Sequence, residues 1–424
     1  MTIQTRTASV IILSIATAAV AATTDWPTFR GASRDAICRE HGLLKDWSSQ
    51  QPALDWQVKG LGKGYSSVAI VGNALYSTGD RGGEQLLVAL DLNTRKELWT
   101  AKLGRPWSDG GCRSTPTVDG QKIYALGTHG DLVCADTATG REIWRKSYAK
   151  DFGGKMMSGW GFTESPLLDG DRLICTPGGA DAMMVALDKN TGDVIWKCAA
   201  PKLGPKGRDG AAYSSIVATD VGGIRQYVTL TVRGAIGVRA KDGKYLWGYN
   251  RVINETANIT TPIVTDDMVF VSTSYNTGSA LLKLTPDGEG GVTAKEVYFL
   301  DGKTFQNHHG GVVLVDGYLY GGHGQNAGLP MCIEMKTGKI MWKAPKAVSG
   351  GSAAVLYADG NLIFRYEQAA EVALIAASPE GYSLKGTFKS AVDDGPAWAH
   401  PVIHDGKLYL RTNDNLMCYN LAAR

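Results

Sequence analysis

The chain has 424 residues, 44% hydrophobic and 20% charged, an ordinary globular balance that excludes a disordered polypeptide. Its formal charge of +3 is nearly balanced, and no basic run with interleaved aromatics occurs, which excludes a nucleic-acid partner. The 53 glycines occur without low complexity; they point to many tight turns and so to an all-β repeat protein.

The first element in chain order reads as an export signal. Arg6 lies in a short polar head, Ala8 to Val20 is apolar but too short to span a bilayer comfortably, and Ala19-Val20-Ala21 places small residues where a signal peptidase reads. Residues 1–21 are therefore expected to be a signal peptide, residues 22–52 a leader packing on the domain, and residues 53–424 the domain itself; an uncleaved anchor is the alternative. No cysteine follows the apolar run, which argues against a lipid anchor, and no later stretch is long and apolar enough to cross a membrane. The expectation is a periplasmic or secreted monomer whose mature chain has no transmembrane segment. The seven cysteines, Cys38, Cys112, Cys134, Cys175, Cys198, Cys332 and Cys418, are scattered and form no CxxC or CxxCH, which excludes a zinc cluster or a covalently attached haem. Export permits disulfides, but their pairing stays open, and buried free thiols are the alternative.

Self-similarity dominates the rest of the chain. The segments Ala89-Leu90-Asp91 to Thr94, Ala135-Asp136 to Gly140, Ala186-Leu187-Asp188 to Gly192 and Ile333-Glu334 to Gly338 each place an acidic residue before a Thr. Trp99, Trp144, Trp196 and Trp342 come after it at a fixed distance. Asp242-Gly243 with Trp247 is a further copy, and Leu282 to Gly288 a degenerate one in which Tyr298 or Phe299 takes the aromatic place. Asp-Gly pairs at 119–120, 169–170, 316–317, 359–360 and 405–406 separate alternating apolar runs, the signature of hairpin turns. A unit of four antiparallel strands, A to D, recurring about every 45–50 residues, has the length of a propeller blade. The A strands are expected to begin near Ser67, Thr115, Ser165, Ser215, Thr261, Val312, Ser352 and Pro401, giving eight blades. The eighth lacks an outer strand, while Leu54 to Val58 has the outer-strand pattern and no blade of its own. The expectation is an eight-bladed β-propeller of four-stranded antiparallel blades, closed by an N-terminal strand that completes the last blade and removes an exposed edge.

The repeat A-x-D-x-x-T-G-x-x-x-x-W resembles the tryptophan-docking motif of PQQ-type propellers. That superfamily includes quinoprotein alcohol dehydrogenases and the non-enzymatic outer-membrane assembly factor BamB. Asp25 to Gly31 and Asp46-Trp47 are similar to the leader of secreted members. The resemblance covers about residues 25 to 424 and specifies fold far more than function.

Strand order puts the A–B and C–D turns on one rim and the D–A and B–C connections on the other. The second rim collects the richer chemistry: Arg113, Trp160, Glu164, Asn258, Asn307, His308, His309, His323, Gln325, Trp398 and His400 are the candidate ligand-binding residues. Glu164 is a candidate general base or calcium ligand and equally a candidate ion-pair partner of Arg113. His308 and His309 suit a metal site or plain hydrogen bonds to loop carbonyls. The resemblance implies either a non-catalytic binding or scaffold propeller of the cell envelope, its partner an envelope protein or a small-molecule or saccharide ligand, or a dehydrogenase using PQQ with calcium. The dehydrogenases characteristically carry a disulfide between adjacent cysteines, and no two cysteines here are adjacent. The scaffold reading therefore comes first, with no cofactor assigned.

Overall fold

In a computed structural model, which describes residues 24–199 and 201–423, the alternating runs pair into eight sheets, each built on four antiparallel strands, and one sheet gains a fifth, parallel strand. The signal-peptide expectation falls on residues outside that range. Blade 1 is typical: Ala69–Val71, Ala74–Arg81, Glu84–Asp91 and Glu97–Gly104 are joined in sequence order by tight turns. The A strands of the eight blades begin at Ala69, Thr117, Leu167, Val217, Ile263, Val312, Ala353 and Val402. Most begin one or two residues later than the sequence suggests, because the Ser and Thr residues before them bond sideways to other blades. One short helix, Tyr148–Phe152, interrupts the described strands, and no helix there is long and apolar enough to cross a membrane.

Because a β-sheet is apolar on both faces when it lies between neighbours, the core is distributed. One cluster, for example, joins Tyr76, Leu87 and Trp99 of blade 1 to Val118, Ile123 and Val133 of blade 2. The repeated tryptophan works across this seam. The Trp99 indole N–H donates to Thr137 O at 2.9 Å, Trp144 to Lys189 O at 3.1 Å, Trp196 to Ala240 O at 3.0 Å and Trp342 to Ser378 O at 2.7 Å, each in the next blade. Gly140, Gly192 and Gly243 of the following blades' turns lie against the rings of Trp99, Trp144 and Trp196. Trp247 faces the degenerate turn of blade 5 and instead donates to Gln226 within its own blade.

The ring closes as the orphan strand requires. Ala53–Lys59 pairs antiparallel with Asn415–Asn420, matching Leu54 to Tyr419 and Trp56 to Cys418. Two fully buried arginines reinforce the closing seams. Arg411 of blade 8 donates to Ser66 O, Ser77 Oγ and Thr78 O of blade 1 and to Gly62 O before it. Arg365 of blade 7 donates to Ala399 O and to Thr412 Oγ1 of blade 8.

The segment before this strand enters the ring. Trp26 exchanges backbone bonds with Ile70, and Pro27 O accepts from Val118 N. Arg34 donates to Ser165 O and Pro166 O of blade 3, and Arg30 reaches Val312 O of blade 6. Ile37–Cys38 then adds as a parallel strand to Ala353–Ala358 of blade 7. Residues 26–36 thus bond to the innermost strands of blades 1, 2, 3, 6 and 7, and fill the axis from the side of the A–B turns. All seven cysteines are buried and free.

Candidate functional site

What the leader leaves open is a cavity of about 350 Å³ at the D–A rim, with Phe29 and Arg30 as part of its floor. Its wall is built by a repeat position. Just before each A strand the chain runs extended, so successive side chains point in opposite directions. Tyr65 and Ser67, Arg113 and Thr115, Thr163 and Ser165, and Tyr213 and Ser215 face the cavity in pairs, while Ser66, Ser114, Glu164 and Ser214 between them do not. The inner members are stitched together. Ser67 N donates to Thr115 Oγ1 at 3.1 Å, Thr115 N to Ser165 Oγ at 3.0 Å, and Ser165 N to Ser215 Oγ at 3.0 Å. These bonds hold the wall rigid across four blades.

Above the hydroxyls stand aromatic rings. Tyr65 and Trp398 lie 4.4 Å apart between centroids, and Trp160 meets Tyr213 edge-on at 5.9 Å. Arg113 stacks over Tyr65 with its guanidinium carbon 5.3 Å from the ring centre. Its nitrogens donate to Gly111 O, Trp160 O and Asp109 O, and its ion-pair partner is Asp109 at 3.5 Å rather than Glu164. Burial pulls the Arg113 pKa down.

Three histidines complete the wall. His308 bonds Ser352 Oγ at 2.9 Å and Tyr275 OH at 3.1 Å through its two nitrogens, and burial, with the His309 charge nearby, drops its pKa to about 4. His400 places Nε2 at 3.1 Å from His309 O, which fixes an Nε2–H tautomer, and burial drops its pKa to about 3. His309 lies 3.5 Å from Glu367. Burial pushes the Glu367 carboxyl upward, but His309 and the Ser352 amide together hold it at about 2. Of the described residues lining the cavity, Glu367 is the only carboxylate.

The remaining sequence candidates lie elsewhere. Glu164 is 2% exposed and points behind the wall, accepting from Tyr148 OH at 2.8 Å and Thr176 N at 2.6 Å; burial raises its pKa. Asn258 and Asn307 are buried loop braces, the first tying Asn254 to Thr231 O and the second bridging Gly311, Gly322 and Thr260. His323 accepts from Gln306 N and lies against Phe305, and Gln325 is exposed and away from the cavity. Arg113, Trp160, His308, His309, Trp398 and His400 are brought together. Phe29, Arg30, Tyr65, Tyr213, Tyr275 and Glu367 join them without having been singled out.

A calcium ion bound with PQQ needs several converging carboxylate or carbonyl oxygens. Here two arginines and three histidines face one carboxylate already engaged by His309 and Ser352. That donor set does not suit the calcium–PQQ pair.

Among solved structures, the chain is similar to BamB from Moraxella catarrhalis, with a TM-score of 0.62 and 11% identity over 87% of this chain and 100% of that one. It is also similar to the quinohemoprotein alcohol dehydrogenase of Comamonas testosteroni, with a TM-score of 0.66 and 12% identity over 94% and 81%. At such identities the likeness is one of fold. A BamB of Kangiella koreensis is 28% identical over 139 residues, a stretch spanning 31% of this chain and 31% of that relative. Residues 83–344 match the family model described as outer membrane protein assembly factor BamB, and with more than half of its length matched the chain belongs to that family of propellers.

Proposed function

We propose that this protein is a non-catalytic binding propeller of the cell envelope, exported to the periplasm or beyond. In this reading the ring serves as scaffold for an envelope partner and the D–A cavity takes a small ligand. Family membership supports the scaffold role, and one observation carries the ligand role: a concave, aromatic cavity is closed from beneath by the chain's own leader and walled by side chains already locked by hydrogen bonds. Such a preformed mouth, in which aromatic rings stand beside placed polar groups, suits a small molecule, and rigid walls spare the ligand the cost of ordering them.

The test is a fragment and saccharide screen on the purified chain, read by tryptophan fluorescence and melting temperature. Binding that is lost in Trp398→Ala and Trp160→Ala supports the reading. No binder across the screen removes the ligand role. Saturable quinone absorbance and dye-linked alcohol oxidation after addition of PQQ and calcium would replace it with the dehydrogenase reading.

A further inference from the structure

The floor of the cavity is rich in hydrogen-bond donors and poor in acceptors. Arg30 is 2% exposed, lines the cavity, and uses Nη2 and Nε on Val312 O, Asp35 O and Arg34 O. Its Nη1 is buried without any partner. It points towards Gly311, where a β-carbon would meet Nη1 at 2.3 Å. A buried guanidinium N–H left unpaired is costly, and a charge-assisted bond to an anion is the interaction that removes the cost.

The hydroxyl ring adds to this. Thr115 Oγ1, Ser165 Oγ and Ser215 Oγ each already accept a backbone N–H from the preceding blade. With one lone pair committed in each case, each hydroxyl keeps its O–H proton for a ligand acceptor, beside one remaining lone pair. The Arg113 guanidinium adds positive charge higher on the wall. Against these donors stands Glu367, held by His309 and the Ser352 amide.

We propose, resting on the ligand-binding role of this cavity, that the floor is a carboxylate site. The cavity then takes a small cyclic carboxylic acid, its carboxylate directed to Arg30 and the hydroxyl ring and its ring against Tyr65, Trp160 and Trp398. One spare guanidinium N–H group among neutral hydroxyls matches a monoanion, and aromatic faces above it match an apolar ring or the C–H face of a sugar. The residue that makes the site comes from the leader, so the same segment that plugs the axis sets the specificity of the mouth.

The experiment compares charge at constant shape. Benzoate and benzamide, and D-glucuronate and D-glucuronamide, are titrated into the full chain at neutral pH by calorimetry. In at least one pair the acid is expected to bind tenfold or more tightly than its amide. Arg30→Gln is expected to abolish that preference, bringing acid and amide to within twofold of one another. Because Arg30 also holds Val312 O, Thr115→Val, which deletes one hydroxyl from the ring and leaves Ser67 N without its acceptor, serves as a second variant; a somewhat lower melting temperature is expected, with a several-fold greater loss of affinity for the acid than for its amide. Equal affinity for acid and amide overturns the carboxylate assignment and leaves the ligand-binding reading standing. Inorganic phosphate binding as tightly as the acids also overturns it, in favour of a general anion site. If neither member of either pair binds, the assignment fails, and the fragment screen decides separately whether the cavity binds anything.

Discussion

The guanidinium of Arg95 stands over the ring of Trp56, 5.9 Å from its centre, across the seam where the last blade meets the first. In the repeat, the residue at Arg95 is the glycine on which the preceding blade's tryptophan lies. Blade 1 alone among the good copies puts a long side chain there and holds it at φ 62°. The left-handed backbone costs a non-glycine residue roughly 1 kcal/mol, and the cation–π contact returns about 0.5–1 kcal/mol.

Two substitutions separate those effects. Arg95→Gly relieves the backbone and loses the contact, so its stability is expected to stay within about 0.5 kcal/mol of the parent. Arg95→Ala keeps the strain and loses the contact, and should cost about 1 kcal/mol. Urea denaturation measures both. An Ala variant as stable as the Gly variant would show that strain does not operate at this position, and an Ala variant as stable as the parent would show that the stacking contributes nothing.

At the regular seams the glycine is required by space as well as by φ. A β-carbon on Gly140 would lie 2.5 Å from the Trp99 ring at φ 70°, and the ring is pinned by its bond to Thr137 O. Gly140→Ala is expected to destabilise by about 2–4 kcal/mol, through overpacking added to backbone strain. Gly120→Ala, at φ 55° with open space around it, carries the strain alone and should cost about 1 kcal/mol. Comparable losses for the two would remove the docking argument.

Arg411 offers a test of ring closure. It is buried, and burial lowers its pKa to about 10, yet it satisfies four oxygens on and just before blade 1. Arg411→Met keeps volume and strands those oxygens. The expected loss is about 3–5 kcal/mol, the scale for breaking a buried charged network. Hydrogen exchange should show it first in Asn415–Asn420 and Ala53–Lys59, since these strands form the closing blade.

The blade count and the closing strand were legible from residue patterns because both are local: a tryptophan at fixed distance from an acidic turn, and an alternating run with no blade to join. The site was half legible. Glu164 drew attention as a candidate general base or calcium ligand, but extended backbone alternates, so a cavity that receives Thr163 and Ser165 must turn Glu164 away. The same alternation, applied to Tyr65-Ser66-Ser67 and Tyr213-Ser214-Ser215, would have found the two tyrosines. No comparable rule reaches Arg30 or Phe29. Their place on the floor depends on contacts such as Arg30 to Val312 O, which join distant parts of the chain through the ring axis and leave no periodic trace.

Burial of neutral histidines beside an ionised Glu367 makes the cavity acid-sensitive, with signs that can be worked out. The pKa of His400 is about 3 in the fold and that of His308 about 4, against an unfolded value near 6.5. Below about pH 6.5 the unfolded chain takes up protons that the folded chain refuses, so stability falls as pH drops, until pH passes the folded values. Glu367, with a folded pKa of about 2, contributes stability that is full above its unfolded value near 4.5 and is lost as pH falls from there towards 2. Urea midpoints should therefore fall continuously from about pH 6.5 to below pH 3. His400→Gln can still donate towards His309 O without titrating, so its midpoints should fall less between about pH 6.5 and 3. Glu367→Gln should start less stable at neutral pH by up to about 3 kcal/mol, and the deficit should close below about pH 4.5. Parallel profiles for His400→Gln and the parent would mean that His400 protonates without penalty, and that water reaches the ring more freely than its packing beside Phe29 and His309 allows.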